Sequence, residues 1–188
     1  MLSWALDAFA PLSFARIVVT APPDGLEEFS QVAGARARVV AGGRTRSDSV
    51  RLGFEALAAS DGDIVAIHDA ARPFVTVEEI AAVLSAAQKT GAAIAAVPVV
   101  DTMKRTSSNL IVETIDRDGL YGAATPQAFR VEVLRRAMAA GGEATDEAAL
   151  CERLGIAVAI VPVSRFCFKI TTPEDLELAE AILAWRAR

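Results

Sequence analysis

The stretch "IVAIHDAARPFV", residues 64–75, opens as an unbroken apolar run and ends with a histidine, an aspartate and an arginine inside five positions. Four successive apolar residues with no polar alternation describe a strand covered on both faces, as in a parallel sheet flanked by helices. A strand end that only turns the chain more commonly carries Gly, Asn or Ser. Here His68, Asp69 and Arg72 come before Pro73, so charge is set at the carboxyl edge of the strand, where open α/β sheets hold ligands.

The same signature repeats outward from this strand. "ARIVVT" (15–20), "ARVV" (37–40), "AAIAAVPV" (92–99) and "AVAIVPV" (157–163) are Val/Ile/Ala runs of strand length. Helix-length segments separate them. Residues 47–59 carry Val50, Leu52, Phe54 and Leu57 after a Ser47/Ser49 start, residues 77–89 follow a Thr76/Glu79 capping box, and residues 173–186 open with Thr172 and Pro173. The alternation predicts an α/β fold with a doubly wound, mostly parallel sheet of Rossmann-like type. Residues 101–129 break it. They read as two extended runs around a Ser-Ser-Asn turn, followed by a loop ending in Thr-Pro-Gln. Such a hairpin needs a second surface to cover Leu110, Ile111, Val112 and Ile115, so residues 101–120 are expected to form a β-arm that dimerises.

Composition narrows the class of function. A chain of 188 residues fits one domain. Its 53% hydrophobic content is rich in alanine and contains no run of about 18 apolar residues. The apolar amino end lacks a basic region before Leu2 and carries Asp7, a poor secretory signal, so a soluble, cytoplasmic protein without a membrane partner is expected. A net charge of −5 argues against a nucleic-acid surface. Cys151 and Cys167 are too few for a disulfide framework or zinc site, and there is one histidine; any metal would sit on carboxylates and substrate phosphates. The arginines instead cluster locally, with Arg44, Arg46 and Arg51 in "AGGRTRSDSVRLG" (41–53), a pattern suited to a small anion.

Six stretches in order carry a resemblance: "AGGRTRSDSVRLG" (41–53), "HDAARPFV" (68–75), "VPVVDTMKR" (97–105), "ATPQAFR" (124–130), "TDEAALCERLG" (145–155) and "KITTPEDLELAE" (169–180). Together they resemble the methylerythritol phosphate cytidylyltransferases of non-mevalonate isoprenoid biosynthesis, from about residue 2 to the carboxyl end. The resemblance implies a nucleotidyltransferase that joins CTP to 2-C-methyl-D-erythritol 4-phosphate with Mg²⁺, releasing pyrophosphate. It implies Asp69, Ala70 and Arg72 at the nucleotide and reaction centre, with Asp69 facing the metal and Lys169 among the catalytic cations. Gly42, Gly43 and Ser49 fall at the cytidine; Thr102, Arg117, Thr125, Thr145 and Lys169 fall at the acceptor. Thr102 and Arg117 would act from the arm in the neighbouring subunit of a homodimer.

Charge crowding at an attacked phosphorus explains why such a site needs a carboxylate-held metal and cations. Plainer readings stand beside these. Asp69 can cap a turn, Ser47 or Ser49 and Thr145 can cap helices, Arg44 and Arg46 can be solvated charges, and Lys169 can be a surface lysine ending an apolar stretch. His68 is expected to pack or hydrogen-bond rather than act as a base, since an acceptor phosphate is already ionised.

Two departures from the family pattern concern the site. Cys167 stands where the family usually has asparagine, and no stretch matches the family's amino-terminal glycine-rich loop with its Pro-Lys-Gln, which also supplies a first strand. The chain is therefore expected to be amino-terminally shortened, with one sheet position unfilled. A cytidylyltransferase for another polyol phosphate, such as ribitol 5-phosphate, and a non-catalytic remnant that only dimerises are the alternatives.

Overall fold

A computed structural model describes residues 1–142 and 144–186. In chain order the elements are α1 (Leu2–Phe9), β1 (Val18–Ala21), α2 (Leu26–Ala33), β2 (Arg38–Ala41), α3 (Arg46–Leu57), β3 (Ile64–Ile67), α4 (Val77–Thr90), β4 (Ala92–Pro98), β5 (Met103–Ser107), β6 (Leu110–Ile115), β7 (Tyr121–Arg130), α5 (Val131–Ala139), α6 (Glu147–Arg153), β8 (Ala159–Pro162) and α7 (Pro173–Arg186). The βαβ alternation read from the apolar runs is the observed one.

Ladder pairing divides the strands into a parallel β1–β2 pair, a β3-β7-β4-β8 sheet and the β5–β6 arm. β4 and β8 are parallel, while β7 runs antiparallel to both β3 and β4. Helices cover both faces. On one, Ile80, Val83 and Ala87 of α4 meet Ala93, Ala95 and Ala128 of the sheet; on the other, Leu134 and Ala137 of α5 and Cys151 of α6 meet Val65 and Phe129. Alternate residues of β4 thus enter different cores, which is why its run had to be apolar throughout. Among the described residues no helix is long and apolar enough to cross a membrane.

One expectation is corrected here. Residues 121–130, read as part of a loop, form β7, the strand that joins β3 to β4. Gly122 and Pro126 hid it, because a proline cannot donate to a ladder and argues against a central strand. The β4 register shifts between Ile94, opposite Gln127, and Ala96, opposite Ala123, so Pro126 lies in the interruption.

Within residues 101–120 the expected hairpin is present as β5 paired with β6. Ser108 and Asn109 adopt φ values of 49° and 64° at its tip, the left-handed pair that closes a two-residue hairpin. Leu110, Ile111 and Val112 are 73%, 65% and 61% exposed.

Candidate active site

β3 ends at Ile67, and the next residues are fixed by a short chain of hydrogen bonds. The Asp69 amide donates to Thr125 Oγ1 at 3.0 Å, and that hydroxyl lies 3.1 Å from His68 Nδ1. His68 Nε2 in turn lies 3.1 Å from the Arg72 carbonyl. A carbonyl only accepts, so Nε2 carries the proton and Nδ1 accepts from Thr125. Burial, against the pull of these hydrogen bonds, lowers the His68 pKa to about 4. His68 is therefore a neutral strut packed on Phe9, with ring centroids 5.2 Å apart, as its expected structural role requires.

This strut presents the Asp69 carboxylate to three cations. Lys169 Nζ is 3.1 Å from Oδ2, Arg72 Nε is 3.8 Å from the same oxygen, and Arg46 Nε is 3.8 Å from Oδ1. These four residues come from the end of β3, the turn after it, the start of α3 and the approach to α7, so only the fold unites them. Arg72 is anchored at its other end by a 2.8 Å bond to the Cys167 carbonyl. Its Nε is buried and has no hydrogen-bond partner among the described residues. A buried donor of this kind calls for an acceptor oxygen.

Arg46, allowed by the sequence to be a solvated charge, belongs to the cluster. Its guanidinium is gripped by Glu147 through two bonds, Nη1 to Oε1 at 2.8 Å and Nη2 to Oε2 at 3.0 Å, and Glu147 is only 2% exposed. Burial draws the Arg46 pKa down, but the hydrogen bond and charge of Glu147, with Asp69 and Asp146, more than compensate and raise it. Gln127, also buried, donates to Asp146 Oδ2 at 2.9 Å and accepts from the Ala148 amide at 3.3 Å, tying β7 to the start of α6. Glu147, Gln127 and Asp146 escaped the sequence reading. The only signal for them was their place inside "TDEA" and "TPQAF", where a glutamate beside a cap gives no hint that it is buried.

Gly42 and Gly43 follow β2 into the amino end of α3. A Cβ on Gly43 would collide with Asp48 Cβ, and one on Gly42 would lie 2.9 Å from Ser49 Oγ. The pair is therefore required by close approach to α3 itself. Ser49 Oγ accepts from the Gly43 amide at 3.0 Å and donates to the Thr45 carbonyl at 3.0 Å. The cap of α3 is Thr45, boxed with Asp48, in place of the expected Ser47 or Ser49. Likewise Asp146, not Thr145, caps α6.

The expected site residues fall into groups. Asp69, Arg72, Thr125 and Lys169 come together, with Arg46 linking them to the Gly42–Ser49 loop and Ala70 following Asp69. Thr125 is 4% exposed and its hydroxyl is committed to Asp69 and His68, which makes it a support of Asp69. Thr145 is exposed beside Asp146. Thr102 and Arg117 are exposed at the base of the arm; Arg117 donates to the Val100 carbonyl and stands outside the Asp69 cluster of its own chain. Cys167, at the asparagine position, is buried with its Sγ 3.4 Å from the Thr125 carbonyl, and burial pushes its pKa up to about 11, so it holds the turn as a neutral thiol.

Among the described residues no group of three or more His, Cys, Asp or Glu could hold a metal unaided. One carboxylate does suit Mg²⁺, which commonly takes one or two carboxylates and completes its shell with substrate phosphates and water. Three cations around one carboxylate make the arrangement chemically suited to an anionic ligand.

The family of 2-C-methyl-D-erythritol 4-phosphate cytidylyltransferases (IspD) matches residues 1–185. The 2-C-methyl-D-erythritol 4-phosphate cytidylyltransferase of Halalkalibacterium halodurans is 45% identical over 181 residues, 92% of this chain and 78% of that protein. The enzyme of that name from Deinococcus radiodurans is 44% identical over 186 residues, 97% of this chain and 77% of the relative. The crystal structure of the Thermus thermophilus enzyme superposes with a TM-score of 0.86 at 39% identity, covering 97% of this chain and 88% of the other. With the Asp69 cluster at the mouth of the same fold, this chain belongs to the 2-C-methyl-D-erythritol 4-phosphate cytidylyltransferase family, nucleotidyltransferases that join CTP to a phosphorylated polyol.

Proposed function

We propose that the Asp69 cluster is the phosphate-handling centre of cytidylyl transfer to 2-C-methyl-D-erythritol 4-phosphate. The observation that carries this reading is the convergence of Lys169, Arg72 and Arg46 on the two oxygens of Asp69 at the end of β3. A carboxylate ringed by three cations gives a Mg²⁺–triphosphate complex both of the partners it needs. Asp69 would hold Mg²⁺, which when bound screens the charge of the phosphates.

In the reaction an oxygen of the acceptor phosphate forms a bond to the α-phosphorus of CTP, and the bond from that phosphorus to the bridging oxygen of the β-phosphate breaks. Pyrophosphate leaves with the electron pair. No proton is removed from the acceptor, so no base is required and His68 remains a strut. Lys169 and Arg72 offset charge growing on the α-phosphate oxygens, and Arg46, steadied by Glu147, faces the triphosphate. Gly42, Gly43, Ser49 and Ala70 form the wall for cytidine and ribose. Thr125 positions Asp69.

The acceptor side is completed by Thr145 and by Thr102 and Arg117 from the arm of a second subunit. What supports a homodimer is the row of exposed apolar residues on β6, on a two-stranded ribbon with little core of its own. The whole chain then acts as one domain with residues 101–120 as its dimer arm. Cytoplasmic work suits two free buried thiols and nucleotide substrates. The test is a substrate panel of 2-C-methyl-D-erythritol 4-phosphate and ribitol 5-phosphate with CTP, read as pyrophosphate release. Turnover with the first and little with the second is expected; the reverse preference would reassign the acceptor.

A further inference from the structure

Thr125 and Gln127 stand two residues apart on β7, beside the end of β3, where Gln127 pairs with Ile67. Thr125 fixes the anion of the charge cluster through the Asp69 amide. Gln127 is 1% exposed, and its amide is engaged at both ends: Nε2 donates to Asp146 Oδ2 at 2.9 Å, and Oε1 accepts from the Ala148 amide at 3.3 Å. An ionised carboxylate only accepts and a backbone N–H only donates. The position therefore takes a group that donates and accepts at once, which neither an ionised glutamate nor an apolar side chain of the same length does.

Both partners of that amide lie at the start of α6, on either side of Glu147. Ala148 and Cys151 bury one face of α6, but apolar packing has no direction. The chain approaches α6 through Gly141 and Gly142, at φ values of 72° and 97°. Neither feature sets the first turn of the helix to hydrogen-bond precision. Glu147 needs that precision, because its carboxylate meets the Arg46 guanidinium as a two-bond fork. A continuous path follows: Gln127 to Asp146 and Ala148, then Glu147, then Arg46, whose Nε lies 3.8 Å from Asp69 Oδ1.

We propose that Gln127 is a positioning residue: by holding the first turn of α6 in register it keeps Glu147 on Arg46 and Arg46 beside Asp69. Its consequence for turnover rests on the reading of Arg46 as facing the triphosphate. β7 then sets both signs of the cluster, Thr125 the carboxylate and Gln127 the guanidinium, at a spacing fixed by two residues of one strand. A slip of α6 frees the Arg46 guanidinium and weakens CTP binding, while the acceptor side is left as it was.

The test is a donor–acceptor exchange on the full chain. Gln127→Glu sets a carboxylate against Asp146 and breaks the bond; Gln127→Glu combined with Asp146→Asn restores it with the roles reversed, since the new amide at 146 donates and still caps α6. Two quantities are read: solvent exchange of the Arg46 guanidinium protons by NMR, and the KM for CTP beside the KM for the acceptor. The single variant is expected to speed exchange and raise the KM for CTP, each about tenfold, as befits one lost buried hydrogen bond, with the acceptor KM unchanged; the double variant is expected to recover both. Native exchange in the single variant, even with a lowered melting temperature, makes Gln127 purely structural and overturns the proposal, as does a double variant no better than the single. Should Gln127→Glu fail to fold, Asp146→Asn alone removes the same bond without burying a charge, and native exchange there overturns the proposal equally. The NMR readout involves no nucleotide, so freed Arg46 protons with a native KM for CTP would uphold the positioning and refute only the placement of Arg46 at the triphosphate.

Discussion

His68 and Asp69 are adjacent, yet one is spent on structure and the other left for chemistry. The histidine's low pKa, about 4 against an ordinary 6.5, is set first by burial. In that window the unfolded chain binds a proton that the native chain refuses, so stability rises with pH between about 4 and 6.5 and is fully present above it. His68→Gln is expected to remove that slope, worth roughly 3 kcal/mol at most, as checked by urea melts at pH 4.5 and 7. An identical pH dependence in both proteins would mean other groups carry it. Glu147 is the second residue with a definite consequence. Its two bonds fix Arg46 at Asp69, so Glu147→Gln should cost about 2 kcal/mol of stability and raise the KM for CTP more than it lowers kcat. The charged residues at the strand end were legible because polarity there needs a reason. Glu147 and Gln127 were not, since burial of a polar side chain is decided by neighbours distant in sequence.

At the level of elements, local rules carried the helices. Thr76 and Glu79 form the capping box that "TVEE" advertises, whereas "TRSD" hid the same box with aspartate in the third position. β7 was lost because its residues, with Gly122 and Pro126, have poor strand preference and gain their conformation from β3 and β4 on either side. The Gly43 turn has a sharp requirement. Gly43→Ala places a methyl against Asp48 and should cost about 1–3 kcal/mol while weakening CTP binding, measured by thermal melting and calorimetry; an unaltered melt would show that the loop relaxes freely. Converting Leu110, Ile111 and Val112 together to serine is expected to halve the mass seen by light scattering and leave the core's melting unchanged. A mass insensitive to this change would exclude the arm as the dimer contact.

For the molecule as a whole, the fold gathers at the carboxyl end of β3 groups from five of the six separated stretches. Order and spacing of those stretches were readable, as was the parallel sheet implied by alanine-rich and valine-rich runs. The grip of Glu147 on Arg46 was not, because it spans 101 residues of chain and is closed only by packing. Thr102 and Arg117 remain apart from Asp69 within one chain, so Arg117→Ala is expected to raise the KM for the acceptor at least tenfold and leave that for CTP nearly constant; equal changes would remove Arg117 from the acceptor side. The central claim is that Asp69 and its three cations carry the transfer. Pyrophosphate release from CTP and 2-C-methyl-D-erythritol 4-phosphate, compared between the native protein and Lys169→Ala, tests it most directly. A fall of roughly 100-fold in kcat is predicted; release at the native rate from the variant would contradict the assignment.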